Sequence, residues 1–192
     1  MLRDADIRDD LCDMLEEKYG KVRFFEEFVM GKSRADIVVV TPDFMVGVEI
    51  KSDADSYVRL ERQVKDYSRF YDYNILVVGA SHGNSAPDHV PPFWGIITVE
   101  ETGKGLDFYV LREPIKSPKL RLTNQMGFLW KSELAVIQKD NGLHKYPGKS
   151  KMFIKHYLMD NVDNDELKLM MLDRLFNRDY SIYRDKEQTD ED

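Results

Sequence analysis

Hydrophobic positions along the chain follow two periods in turn. Residues 4–19 place Ile7, Leu11, Met14 and Leu15 on a spacing of three and four with Gly20 as a stop, which predicts a first helix. Residues 21–29, 34–40 and 46–52 are short apolar runs, and the turn-forming Thr41-Pro42-Asp43 makes the last two a hairpin. Asp53-Ala54-Asp55-Ser56 reads as the cap and acidic first turn of a helix reaching about residue 71, with Val58, Val64 and Phe70 toward the interior. Residues 74–79 form a continuous apolar run, as in a central strand covered on both faces. After a polar loop at 80–92, residues 94–99 and 106–111 predict a second strand pair about a turn at 101–105. From there the period is helical over 128–139, 151–160 and 163–176. The expectation is an α/β fold with a mixed sheet of four to five strands flanked by helices. Residues 1–112 would form the core, 113–183 a helical extension packed on it, and 184–192 a disordered acidic tail.

Composition narrows the setting. The chain has 192 residues, 42% hydrophobic and 33% charged, enough apolar material for one ordinary domain. A single cysteine, Cys12, excludes an internal disulfide and a cysteine-ligated cluster and fits a reducing cytoplasm. No run has the length of a membrane span, and Met1-Leu2-Arg3-Asp4 does not open a signal peptide, so a cytoplasmic protein without a membrane partner is expected. The net charge of −7 is uneven: residues 112–155 hold ten Lys or Arg against three Asp or Glu. That segment is either a phosphate-contacting surface or an ordinary solvated helical face.

The polar residues of the hairpin carry the chemistry. Alternation puts Glu49 and Lys51 on one side of their strand with Ile50 turned inward, and Asp36 begins the preceding strand, so the three side chains can meet. Two carboxylates suit Mg²⁺, a hard ion that takes oxygen ligands, with Mn²⁺ as a substitute; the Ile50 carbonyl could add another oxygen. Such an ion serves phosphodiester hydrolysis, and Lys51 would orient or deprotonate the attacking water or stabilise the transition state. Arg59, Gln63 and Tyr67 lie on one stripe of the next helix, either orienting substrate or forming a solvated side with Tyr67 half-packed. One acid of Asp6, Asp10 and Glu17 could reach the site from the first helix, although each alone fits a solvated surface. Alternation sends Glu26 and Glu27 to opposite faces, so at most one faces the site. Trp94 closes the core edge or stacks a base, and the loop residues His82 and His89 either take a zinc or catalytic role or, lacking a further ligand pattern, face solvent.

Asp36, a spacer containing a turn, and then Glu49-Ile50-Lys51 resemble the signature of the PD-(D/E)XK nuclease superfamily, with Ala35 where the pattern has proline. Gln63 and Tyr67 resemble the Gln-x-x-x-Tyr motif of its RecB-like and lambda-exonuclease-like branches. Asp6-Ile7-Arg8, Glu26-Glu27, Arg34-Ala35-Asp36, Glu49-Ile50-Lys51-Ser52 and Pro92-Phe93-Trp94-Gly95 resemble small stand-alone bacterial and phage nuclease-like proteins related to MmcB-type DNA-repair proteins. Roughly the first half of the chain is covered. The resemblance implies a restriction-endonuclease-like α-β-β-β-α-β core and a Mg²⁺-dependent DNA endonuclease of repair, recombination or phage–host conflict. It implies Asp36, Glu49 and the Ile50 carbonyl as metal ligands and Asp36, Glu49, Lys51, Gln63, Tyr67 and Glu27 as the catalytic set. Arg8, Arg34, Ser52 and Arg59 would contact substrate, with DNA as the partner and a two-fold dimer as the simplest route to cutting both strands. One rival reading is a catalytically silent module that keeps the fold to hold nucleic acid or protein, and a second is a different phosphoryl-transfer enzyme using the same metal site.

Overall fold

The computed structural model describes residues 3–52 and 55–180. Helix α1 (Asp4–Tyr19) leads into strands β1 (Arg23–Met30), β2 (Ser33–Val40) and β3 (Met45–Lys51). Helix α2 (Leu60–Phe70) then crosses to β4 (Tyr73–Gly79), and a loop holding the short α3 (Ala86–His89) leads to β5 (Gly95–Thr102) and β6 (Gly105–Arg112). The chain ends in α4 (Leu122–Gln125), α5 (Lys131–Asp140), α6 (Lys151–Asn161) and α7 (Asn164–Phe176). The strands form one mixed sheet in the order β1-β2-β3-β4-β5-β6, antiparallel except for the parallel β3–β4 and β4–β5 pairs. Six strands join the sheet, one or two more than expected, because the hairpin β5–β6 continues it beyond β4.

Side-chain alternation divides the core between the two faces. Ile37, Val39, Val46, Val48, Ile50, Ile75 and Val77 pack against Ile7, Leu11 and Leu15 of α1. Val38, Val40, Met45, Leu76 and Val78 pack on the other face, against α2 and the C-terminal helices, through Leu60, Tyr67, Leu134, Leu158 and Met171. Near-continuous burial of β3 and β4 follows from this two-sided cover. Trp94 is fully buried and donates to the Ser68 hydroxyl, so it belongs to the core and not to a base-stacking surface.

Several local expectations are corrected. Residues 57–59 form a single 3₁₀ turn before α2, which leaves Val58 87% exposed instead of on the buried face. Asp55 does not cap α2; it accepts from the Ser52 N–H and hydroxyl at 2.9 and 2.7 Å and closes the turn leaving β3. The Asp53-Ala54 part of the expected cap and the tail at 184–192 lie outside the described residues. The predicted helix at 128–139 begins only at Lys131, after a 3₁₀ turn over Met126–Phe128.

Candidate active site

Glu49 lies at the end of β3 where that strand runs beside β4, and its side chain is completely buried against α2. Lys51, on the same side of the strand, is ion-paired to Glu49 Oε1, and Gln63 Nε2 donates to the same oxygen at 2.5 Å. The Tyr67 hydroxyl sits 2.7 Å from Glu49 Oε2 and 3.1 Å from the Val48 carbonyl, and receives the Asp36 N–H at 3.3 Å. A buried carboxylate is costly unless paired and hydrogen-bonded, and here both oxygens are met. The Gln63–Tyr67 stripe therefore faces inward onto Glu49, and Tyr67 is fully buried rather than half-packed.

Asp36 reaches the same place from β2. The β2–β3 ladder ends at the Ile37–Val48 pair, and beyond it Asp36 Oδ2 accepts the Ile50 N–H at 2.8 Å. Burial and the neighbouring Glu49 charge push the Asp36 carboxyl up to about 7, with the Ile50 N–H pulling the other way. Two acids so placed lack a full complement of positive charge. Gln63 Oε1 is buried beside them and has no hydrogen-bond partner among the described residues. An oxygen-rich donor set, an acid held up by its neighbour's charge and an orphaned amide oxygen together fit a divalent cation such as Mg²⁺ or Mn²⁺.

A second group of acids adjoins Asp36. Carboxylate oxygens of Asp4, Glu27 and Asp36 lie within 4.8 Å of one another. Glu27 has φ 52°, a left-handed conformation, and although β1 and β2 keep their register on either side, the Glu27–Asp36 rung is missing. That break overrides simple alternation, and Glu26 and Glu27 both turn to Arg8. The acid that α1 contributes is Asp4, not Asp6, Asp10 or Glu17, which are exposed; Asp6 instead accepts the Arg3 N–H at the helix start. The signal in the sequence was the Asp4–Arg8 spacing of four, which places both on one side of α1.

The substrate-contact expectations divide. All five Arg8 donors are taken, by Asp4 (3.1 and 2.6 Å), Glu27 (2.5 Å), Glu26 (3.1 Å) and the Asp36 carbonyl (3.2 Å), leaving none for a phosphate. Ser52 is buried, with its hydroxyl turned to Asp55. Arg34, exposed and within 2.5 Å of Glu27 Oε2, and Arg59 line a cleft of about 480 Å³ together with Lys32, Lys51 and Arg62. Asp36, Glu49, Ile50 and Gln63 line it as well, giving an acidic floor under a basic rim. Arg62 was not anticipated; its exposed helical position resembles any solvated arginine until α2 is docked.

The basic segment contributes less than its charge suggests. Arg112, Lys131, Lys151 and Lys155 donate to the backbone carbonyls of Trp94, Pro147, Gly127 and Thr123. The three lysines fasten the C-terminal helices, and Arg112 ties β6 to the segment before β5. Among the described residues no helix is long and apolar enough to cross a membrane.

A family model described as Bacteriophage P4 protein cII matches residues 1–187. Protein cII of Enterobacteria phage P4 is 23% identical over 147 residues, covering 74% of this chain and 55% of the phage protein. The chain thus spans about half the length of that relative. Among solved structures, SfsA of Pyrococcus furiosus in complex with Ca²⁺ is similar at a TM-score of 0.35 and 15% identity, over 60% of this chain and 62% of the other.

Proposed function

We propose, for a chain that belongs to the bacteriophage P4 protein cII family, a metal-dependent nuclease that hydrolyses DNA phosphodiesters at the Asp36–Glu49–Lys51 site. The observation that carries this reading is the convergence of those three side chains on the acidic floor of a basic-rimmed cleft. The resemblance of the same residues to the PD-(D/E)XK signature supports it. Asp36 and Glu49, with the Ile50 carbonyl, would hold Mg²⁺ or Mn²⁺. A divalent ion supplies Lewis-acid charge to a phosphodiester and acidifies water enough for attack at neutral pH. Gln63 and Tyr67 hold the Glu49 carboxylate in one orientation, and Lys51 keeps an ammonium where charge develops on the phosphoryl group. Arg34, Arg59, Arg62 and Lys32 on the rim bind the DNA backbone and fix its register without reading sequence.

A second reading follows from the Glu49 oxygens, both of which already have protein partners: a nuclease-type fold that binds DNA without cutting it. The test is a panel of labelled linear, circular, single-stranded and branched DNA with Mg²⁺, Mn²⁺ or EDTA, comparing wild type with Glu49→Ala. Metal-dependent products lost in the variant support the nuclease. Binding that withstands chelator and Lys51→Ala, with no products on any substrate, supports the silent module.

A further inference from the structure

Arg8 is the most heavily coordinated cation among the described residues, and the role suggested by resemblance does not account for it. Its guanidinium sits with only 13% of the side chain exposed between α1 and the β1–β2 edge. It forks onto both oxygens of Asp4, reaches Glu27 and Glu26 with its two terminal nitrogens, and donates to the backbone carbonyl of Asp36. Glu27 pays for this with a left-handed backbone that a glutamate seldom adopts. Strain of that kind persists where surrounding contacts hold it, and the contacts here are Arg8 and Arg34.

Charge arithmetic gives the arrangement a purpose. Asp4, Glu26, Glu27, Asp36 and Glu49 are five carboxylates, and Arg8, Arg34 and Lys51 are the three cations paired to them. Asp36 is the one of these five without an ion pair among the described residues, which leaves its charge for a bound ion. Without Arg8, the Asp4–Glu27–Asp36 trio would be a second oxygen-ligand cluster sharing Asp36 with the first.

We infer that Arg8 is a built-in counter-ion that occupies the acidic trio beside the site and limits the protein to one divalent metal per chain. This rests on the reading of Asp36 and Glu49 as metal ligands. Arg8 is then a positioning residue: it touches no substrate, and it sets metal number by filling with a guanidinium the space a second ion would take. A fixed, hydrogen-bonded cation also holds the Asp36 backbone, and with it the carboxylate, at one place relative to Glu49.

The test is a count of Mn²⁺ bound to the full-length, metal-stripped protein, read from the loss of the free-ion electron paramagnetic resonance signal during titration. Wild type should take up one Mn²⁺ per chain and Arg8→Met two, because the methionine empties the trio without adding charge. Glu17→Gln, which removes an exposed carboxylate of α1 that makes no contact with Arg8, should still bind one with unchanged affinity. If Arg8→Met folds only when Mn²⁺ is added, the ion has replaced the guanidinium and the inference stands. One Mn²⁺ in a folded Arg8→Met protein overturns it, as do two in wild type. Wild type that binds no Mn²⁺ would instead remove the metal reading of Asp36 and Glu49 on which the inference depends.

Discussion

Among single residues, Glu49 and Asp36 are the two whose surroundings decide what the cleft can do. Glu49 has no exposure and is met by Lys51, Gln63 and Tyr67, so each neighbour supports both fold and chemistry. Tyr67→Phe removes a hydrogen bond to a buried carboxylate and should cost about 1.5–3 kcal/mol of stability, measured by urea denaturation. Asp36 titrates in the opposite sense from an ordinary paired acid. Its carboxyl lies near 7 in the fold against the usual value near 4, so the fold favours the protonated form. In EDTA its contribution to stability is therefore full below about pH 4 and is lost as pH rises through 7. Denaturation midpoints between pH 5 and 8 should show that fall in wild type, and Asp36→Asn should flatten it. The Asp36–Glu49–Lys51 grouping was legible in sequence because strand alternation and one tight turn determine it. Asp4 was not, since its role appears only once α1 lies against the β1–β2 edge, where Arg8 gathers acids from α1 and β1 and a backbone carbonyl from β2.

At the element scale, α2 approaches β3 closely enough that Tyr67 can reach Glu49, and Gly47 makes the approach possible. A Cβ at Gly47 would overlap the Tyr71 ring and come 2.7 Å from Tyr67 Cδ1. Gly47→Ala should therefore destabilise the protein by about 1–3 kcal/mol, read as a lower urea midpoint, and should weaken the Tyr67–Glu49 contact with it. The hairpin, α1 and the buried strand β4 were readable from apolar period. The break at Glu27 was not: alternation is a rule for regular strand, and a single residue at φ 52° turns neighbouring side chains to one side. The start of α2 misled for a related reason, because Asp55 satisfies Ser52 and leaves the 3₁₀ turn at 57–59 to begin the helix.

At the scale of the whole molecule, the C-terminal helices and the sheet share one apolar core, pinned by buried ions. Asp72, fully buried, is ion-paired to Lys168 of α7 and accepts from Gln125 and from the Met45 N–H, each at 3.0 Å. Lys168→Met leaves that carboxylate uncompensated and should cost about 3–5 kcal/mol in denaturant unfolding. The sequence showed a basic stretch there but not that several of its cations fasten backbone carbonyls, a distinction only tertiary contacts make. On the proposed reading the cleft rim meets the DNA backbone, and changing Arg59 and Arg62 together to alanine should reduce the slope of log affinity against log salt by about 2. The central claim is tested most directly by incubating wild type and Glu49→Ala with end-labelled and circular DNA, with Mg²⁺ and with EDTA. Products are expected only from wild type and only with the metal. Products that survive EDTA, or that Glu49→Ala forms equally well, would contradict the claim.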